Sequence, residues 1–212
     1  MNGSPTWTPR LTGGQEAACA RVLYALERPG GVAILCGPAG TGVSTLLHGI
    51  LGRTRGGEVR LARSVDTARR LLATDGLATL LVDDAHLATA AALGDLVESA
   101  EEARHPGLVL GGQGRLLTLL HRAPALDARV RVRAVLQPLT PAETATIAHE
   151  LRPAVRWGPD SLRVLHEIAG GIPAGVVRLV ELCAVVAAAE PARPIDAADV
   201  EAIHVRLTTT AA

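Results

Sequence analysis

Lysine is missing from this sequence altogether: all 21 basic residues are arginine. Phenylalanine is missing too, and Trp7, Trp157 and Tyr24 are the whole aromatic complement. The core must therefore be aliphatic, built from Leu, Val, Ala and a few Ile. Net charge is also lacking, because 21 acidic residues balance the 21 basic ones. That balance gives no global positive field for nucleic acid and no polybasic patch for a membrane surface. No run approaches the roughly 18 apolar residues of a membrane helix; the most apolar late segment, LVELCAVVAAA, is interrupted by Glu181. The opening MNGSPTWTPR has neither the basic start nor the apolar stretch of a signal peptide. Cys19, Cys36 and Cys183 are far apart and odd in number. They form no metal spacing and no disulfide framework, so the reading is a cytoplasmic protein. The seven histidines fall in no metal-ligand spacing, and Ser44 has no His–Asp pattern for a hydrolase triad.

What the sequence does have is a regular alternation of short apolar runs with helical patterns. Residues 1–13 read as an extended lead-in, and a helix follows with Ala17, Ala20 or Arg21, Leu23 and Tyr24 at helical spacing, stopped by Pro29-Gly30-Gly31. Strands are expected at VAILC (32–36), GEVRLA (57–62), LATLLVDD (77–84), GLVLGG (107–112) and RVRVRAVL (129–136). Helices are expected between them, one of them capped by Ser64. Continuously apolar strands that alternate with helices imply a parallel sheet covered on both faces, an α/β fold. After about residue 140 the strands stop and four helical patterns follow. The expected division is a nucleotide-binding core over 1–139 and a helical lid over 140–212.

The chemistry concentrates in the loop after the first strand. Gly37-Pro38-Ala39-Gly40-Thr41-Gly42-Val43-Ser44 fits the phosphate-binding pattern G-x-x-x-x-G-K-[S/T] at every defined position except one. Glycines let the backbone curl tightly, and its N–H groups with the following helix N-terminus make a concave anion site. Ser44 and Thr45 supply hydroxyls, Ser44 being placed for Mg²⁺. Val43 stands where the pattern has its lysine. General avoidance of lysine would account for arginine there, but not for valine, which carries no charge.

Three further segments point the same way. TLLVDDAH leads three apolar residues, Leu80 to Val82, into Asp83-Asp84; the first carboxylate would hold the Mg²⁺ water shell and the second would orient an attacking water. Gln113 ends the GLVLGGQ strand, where a polar side chain can reach the γ-phosphate or that water. Arg129, Arg131 and Arg133 alternate on one face of the last strand. They read either as a solvated face or, for Arg129, as an arginine finger toward a neighbouring subunit's nucleotide.

Taken in order, the glycine loop, LLVDDAHL, LVLGGQGRLLTLL, LDARVRVRAVLQPLTPAET and AGGIPAGVVRLVELC resemble the AAA+ ATPases of the ExeA-like group (general secretion pathway protein A), which is similar to the TniB-type transposition helpers. The resemblance spans roughly residues 8–205. It implies a P-loop NTPase αβα sandwich with a parallel five-stranded sheet in the order 5-1-4-3-2, and a small C-terminal helical lid. It also implies ATP or ADP with Mg²⁺ bound by residues 37–45, and protein partners or a homo- or hetero-oligomer. The sequence departs from that group in three places. Val43 replaces the lysine, Asp84 replaces the usual Glu, and Ala174 and Gly175 follow Gly170-Gly171-Ile172-Pro173 where the group has a γ-phosphate-sensing Arg. Arg178, one turn later, is the candidate substitute. The function expected is ATP–Mg²⁺ binding with weak or absent hydrolysis, acting in assembly of a partner complex. The alternatives are a non-catalytic scaffold and a DNA-associated transposition helper.

Overall fold

Strand burial sets the architecture. In the computed structural model, which describes residues 11–27, 29–53, 58–74 and 78–209, strand β1 (Gly31–Gly37) is buried along its whole length. It lies inside a sheet ordered β2-β3-β4-β1-β5, with β2 Val59–Ala62, β3 Thr79–Val82, β4 Gly107–Gln113 and β5 Val130–Val135. Read from the β5 edge this is 5-1-4-3-2, the order the resemblance implies. The pairing is parallel; Val32 faces Val130, Ala62 faces Val82, and Val82 faces Leu110.

The chain divides into two compact units. The first takes in residues up to Cys36 and Ser44–Leu136. It holds the sheet and helices α1 (Gly13–Leu26), α2 (Val43–Arg53), α3 (Val65–Thr74), α4 (Ala90–Glu102), α5 (Arg115–His121) and α6 (Pro124–Asp127). The second takes in Gly37–Val43 and the chain from Gln137 onward, with α7 (Pro141–Leu151), α8 (Ser161–Ala169), α9 (Pro173–Ala189) and α10 (Ala197–Thr209).

The cores are aliphatic, as the absence of Phe requires. Ile34, Val82, Leu93, Leu96, Leu110 and Leu116 are fully enclosed in the first unit; each contributes roughly 1.5–3 kcal/mol by burial. In the second, Leu165, Val176, Val180, Cys183 and Val200 do the same. Caps fix several helix starts. The Ser64 hydroxyl accepts from the Thr67 amide at 3.2 Å, as its position before α3 suggests. Thr140 and Glu143 cap α7 reciprocally, at 2.9 and 3.2 Å, with Pro141 in the first turn.

Two details differ from the sequence reading. Helix α1 buries Ala18, Cys19, Val22 and Ala25, whereas Ala17, Ala20 and Tyr24 are exposed. An alanine-rich helix offers two apolar phases, and the one carrying Val22 and Cys19 is the one the sheet covers. The lead-in expected over residues 1–13 lies, up to residue 10, outside the described residues; Thr12 caps α1 through a 3.3 Å bond from the Gln15 amide.

Candidate functional site

Because β1, β3 and β4 run parallel, their C-terminal ends share one edge of the sheet. From β1 the chain enters the glycine loop. Thr41 is buried and closes the turn on Pro38, its amide donating to the Pro38 carbonyl at 3.2 Å and its hydroxyl at 2.7 Å. Gly40 and Gly42 have φ of +81° and +98°, conformations open to glycine and costly for other residues. Pro38, Ala39 and Gly40 are exposed. Helix α2 then starts at Val43, which is half-buried, and Ser44 and Thr45 are exposed in its first turn. No acidic residue lies in that turn, so the helix N-terminus keeps its partial positive charge. His48 Nδ1–H donates to the Ser44 carbonyl at 2.8 Å.

The second unit, which includes the loop residues Gly37–Val43, shows what stands where the resembled group has its sensing arginine. The Ala174 amide donates to the Gly40 carbonyl at 3.1 Å. A Cβ on Gly40 would lie 2.8 Å from Ile172 Cγ2 and 3.1 Å from the Ala174 methyl. The turn leading there uses Gly170 and Gly171, both left-handed, at φ +59° and +67°. The Gly171 carbonyl also accepts a 2.7 Å bond from the Leu139 amide, and a Cβ on Gly171 would sit 2.6 Å from the Leu139 carbonyl oxygen. Arg178, the candidate substitute, lines a groove between α9 and α10 with Arg206.

At the end of β3, Asp83 Oδ1 accepts the Asp84 amide at 2.9 Å. Asp84 is exposed and left-handed (φ +50°), opening a 3₁₀ turn over Ala85–Leu87. The sequence reading missed this turn. Its His86 is buried with Nδ1 unpartnered, 3.9 Å from Asp84 Oδ1. It packs so closely on β4 that a Cβ on Gly112 would lie 2.9 Å from His86 Nδ1 and 3.0 Å from its backbone nitrogen. Gln113, the next residue, is the exposed last residue of β4. Asp83, Asp84 and Gln113 therefore share one edge of the sheet, and Ser44 and Thr45 follow the β1 end of that edge.

Arg129 does not join them. It precedes β5, and parallel pairing with β1 puts that end of the strand at the opposite edge, about 20 Å away for six residues at 3.3 Å each. There its Nε lies 3.6 Å from Glu101 Oε2. Arg133 pairs with Asp127, and Arg131 is exposed. Burial pushes the Cys36 thiol up, which fits a packing residue. No group of three or more His, Cys, Asp or Glu able to hold a metal exists among the described residues, and none of the described helices is long and apolar enough to cross a membrane.

No family model and no curated protein matches the sequence. Solved structures do match the fold. The Thermotoga maritima RuvB Holliday junction branch migration motor superposes with a TM-score of 0.62 at 18% identity, over 88% of this chain and 66% of that one. A point variant of the same protein gives 0.66 at 20% identity, over 88% and 67%. The Aeropyrum pernix ORC2 protein in its ADP form gives 0.65 at 16% identity, over 95% and 71%. The fold is that of the AAA+ P-loop ATPases. The acidic pair follows β3 and Gln113 ends β4, both at the C-terminal edge of the sheet.

Proposed function

We propose that this chain binds ATP or ADP with Mg²⁺ at residues 37–45, turns it over slowly or not at all, and uses the nucleotide as a structural ligand in assembling a partner complex. The observation that carries this is the loop itself. Its backbone is curled by two left-handed glycines and a buried Thr41–Pro38 closure, and runs straight into a helix N-terminus. At the lysine position it presents only the Val43 side chain. The residues fit a phosphate chain through backbone N–H groups and the α2 terminus. Position 43, where the pattern has its lysine, brings them no charge to offset that of the phosphates.

Ser44 and Asp83 would hold Mg²⁺, which when bound offsets phosphate charge. Asp84 and Gln113 would position water at the same edge. Asp83 already spends one oxygen on the Asp84 amide, which fixes its carboxylate. Removing one preorganised stabilising group from such chemistry costs on the order of 10²–10³ in rate, about 3–4 kcal/mol. This loop lacks its lysine, and the start of α9 brings a methyl group, Ala174, to Gly40 instead of a guanidinium. That ORC2 has been solved in an ADP form and as ADPNP–ADP complexes supports nucleotide use on this fold.

Calorimetric titration with ATP and Mg²⁺, with phosphate release assayed on the same sample, tests the proposal. Binding without fast release is the expected result. No binding at millimolar ATP overturns the nucleotide reading, and fast turnover overturns the weak-hydrolysis reading. RuvB acts on Holliday junctions, but the DNA-associated alternative has less support in this neutral chain, where Arg129 and Arg133 face carboxylates of their own chain. Salt-sensitive retention on DNA would be its signature.

A further inference from the structure

We propose that the groove between α9 and α10 is a docking site for an amphipathic helix of a partner protein, with aliphatic anchors flanked by Asp or Glu side chains. Helix α9 carries two apolar stripes. Val176, Leu179, Val180 and Cys183, at i, i+3, i+4 and i+7, are buried in the core of their unit. A second stripe, Leu182, Val185 and Val186, follows Arg178 at i+4, i+7 and i+8 and turns away from the first. It forms one wall of a cavity of about 410 Å³, and Ile203, Arg206 and Leu207 of α10 form the other. Val185 is 69% exposed, an unusual position for a β-branched residue well inside a 17-residue helix.

Charge identifies the occupant. Among the described residues no carboxylate lines the groove, and both polar lining residues are arginines. Three other arginines of this unit hold carboxylates: Arg152 holds Glu181, Arg163 holds Asp160 and Glu167, and Arg193 holds Glu190 and Asp199, while Arg156 donates to the Ala192 carbonyl. Among the described residues Arg178 takes part in no such pair, although the chain has as many acidic as basic residues. An apolar floor with anchors at helical spacing suits a helix laid in a groove. The Arg178 guanidinium beside that floor selects a carboxylate on the incoming flank, since Arg pairs with it bidentately. Among the described residues no aromatic side chain lines the groove for a nucleic-acid base to stack on. The proposal does not depend on nucleotide binding.

The test uses the full chain with methyl-labelled Leu, Val and Ile and two short helical probe peptides. One carries Leu at i, i+3, i+4 and i+7 with Glu on both flanks; the other has Lys in place of each Glu. The acidic peptide is expected to shift the methyl resonances of Leu182, Val185, Val186, Ile203 and Leu207. Arg178→Glu and Val185→Asp, both at exposed positions, should each weaken it at least about tenfold, and Arg178→Glu should improve the Lys peptide. No shift of those methyls at millimolar peptide, or equal binding of both peptides, overturns the proposal. So does sedimentation showing a dimer of this chain that Val185→Asp dissolves, which would assign the groove to a second copy.

Discussion

The Ala174 amide donates a 3.1 Å hydrogen bond to the Gly40 carbonyl, so the centre of the phosphate-type loop is held by the first turn of α9. The contact is close enough to exclude a side chain. A methyl group on Gly40 would meet Ile172 Cγ2 at 2.8 Å, on a residue whose φ of +81° already disfavours alanine. Gly40→Ala should therefore lower stability by about 2–3 kcal/mol, combining overpacking with left-handed strain. Urea unfolding measures it. Adding Ile172→Ala should recover the steric part and leave the strain, and the double-mutant cycle separates the two.

Val43→Lys addresses the missing charge directly. If the loop amides cradle phosphates, an ammonium in the first turn of α2 should raise ATP–Mg²⁺ affinity by about tenfold, or 1.4 kcal/mol. Calorimetry against the unmodified chain reads the gain. An unchanged affinity would mean that position 43 does not face a nucleotide. Val43 is half-buried, so its circular dichroism and unfolding midpoint must be measured alongside.

Glycines elsewhere in the first unit give opposite signs. A Cβ on Gly112 would strike the His86 ring and backbone at 2.9–3.0 Å, and the backbone cannot swing aside. Gly112→Ala should cost about 1–3 kcal/mol and disturb the turn that carries Asp84. Gly49, inside α2, has nothing within 4 Å of its Cβ position. Gly49→Ala should instead stabilise by about 0.5–1 kcal/mol, through helix propensity and a less flexible unfolded chain. Paired thermal melts would show the two shifts in opposite directions.

The sequence was most legible where one physical signal acted alone. The apolar run Leu80 to Val82 before Asp83, flanked by turn signals, reads as an interior strand, and Ser64 before a helical pattern reads as a cap. It was least legible where two elements distant in sequence meet. Nothing in GPAGTGVS announces that Ile172 and Ala174 close on Gly40. Nothing in GLVLGGQ announces that Gly112 is small because His86 fills the space beside it. The spacing around Arg129 shows a strand start, but only the parallel register puts that start at the edge away from Asp84 and Gln113. Tyr24 shows the limit of periodicity: in an alanine-rich helix two faces read alike, and packing chose the one without the aromatic ring.

The thiols offer a reporter of opening. Cys19, Cys36 and Cys183 are all buried. Burial, with a smaller push from Asp199, raises the Cys183 thiol to about 12, and burial alone raises Cys36. Thiolate is the reactive form. A water-soluble disulfide reagent at pH 8 should therefore react slowly with the native chain and release three equivalents once it is unfolded. Slow labelling in the absence of denaturant should follow local or global opening.

Acid should loosen the start of α10 through Asp199. Its carboxylate accepts two bonds from Arg193, at 2.9 and 2.8 Å, and one from the Asp196 amide at 3.0 Å. Those bonds, the Arg193 guanidinium first, hold its pKa below the usual carboxylate value. The unfolded chain therefore takes up the proton more readily than the native one. The stabilisation is complete above the unfolded value of about 4 and disappears as pH falls through that value and past the lower folded one. Asp199→Asn keeps the side-chain shape and an acceptor for the Asp196 amide but loses the charge. Its unfolding midpoint should lie below that of the unmodified chain at pH 7, and the gap should close as the pH is lowered below about 4. Arg193 is 40% exposed, so added salt should narrow the gap at pH 7 as well. A gap that stayed constant from pH 7 to pH 3 would mean that Asp199 acts through shape and capping alone, without its charge.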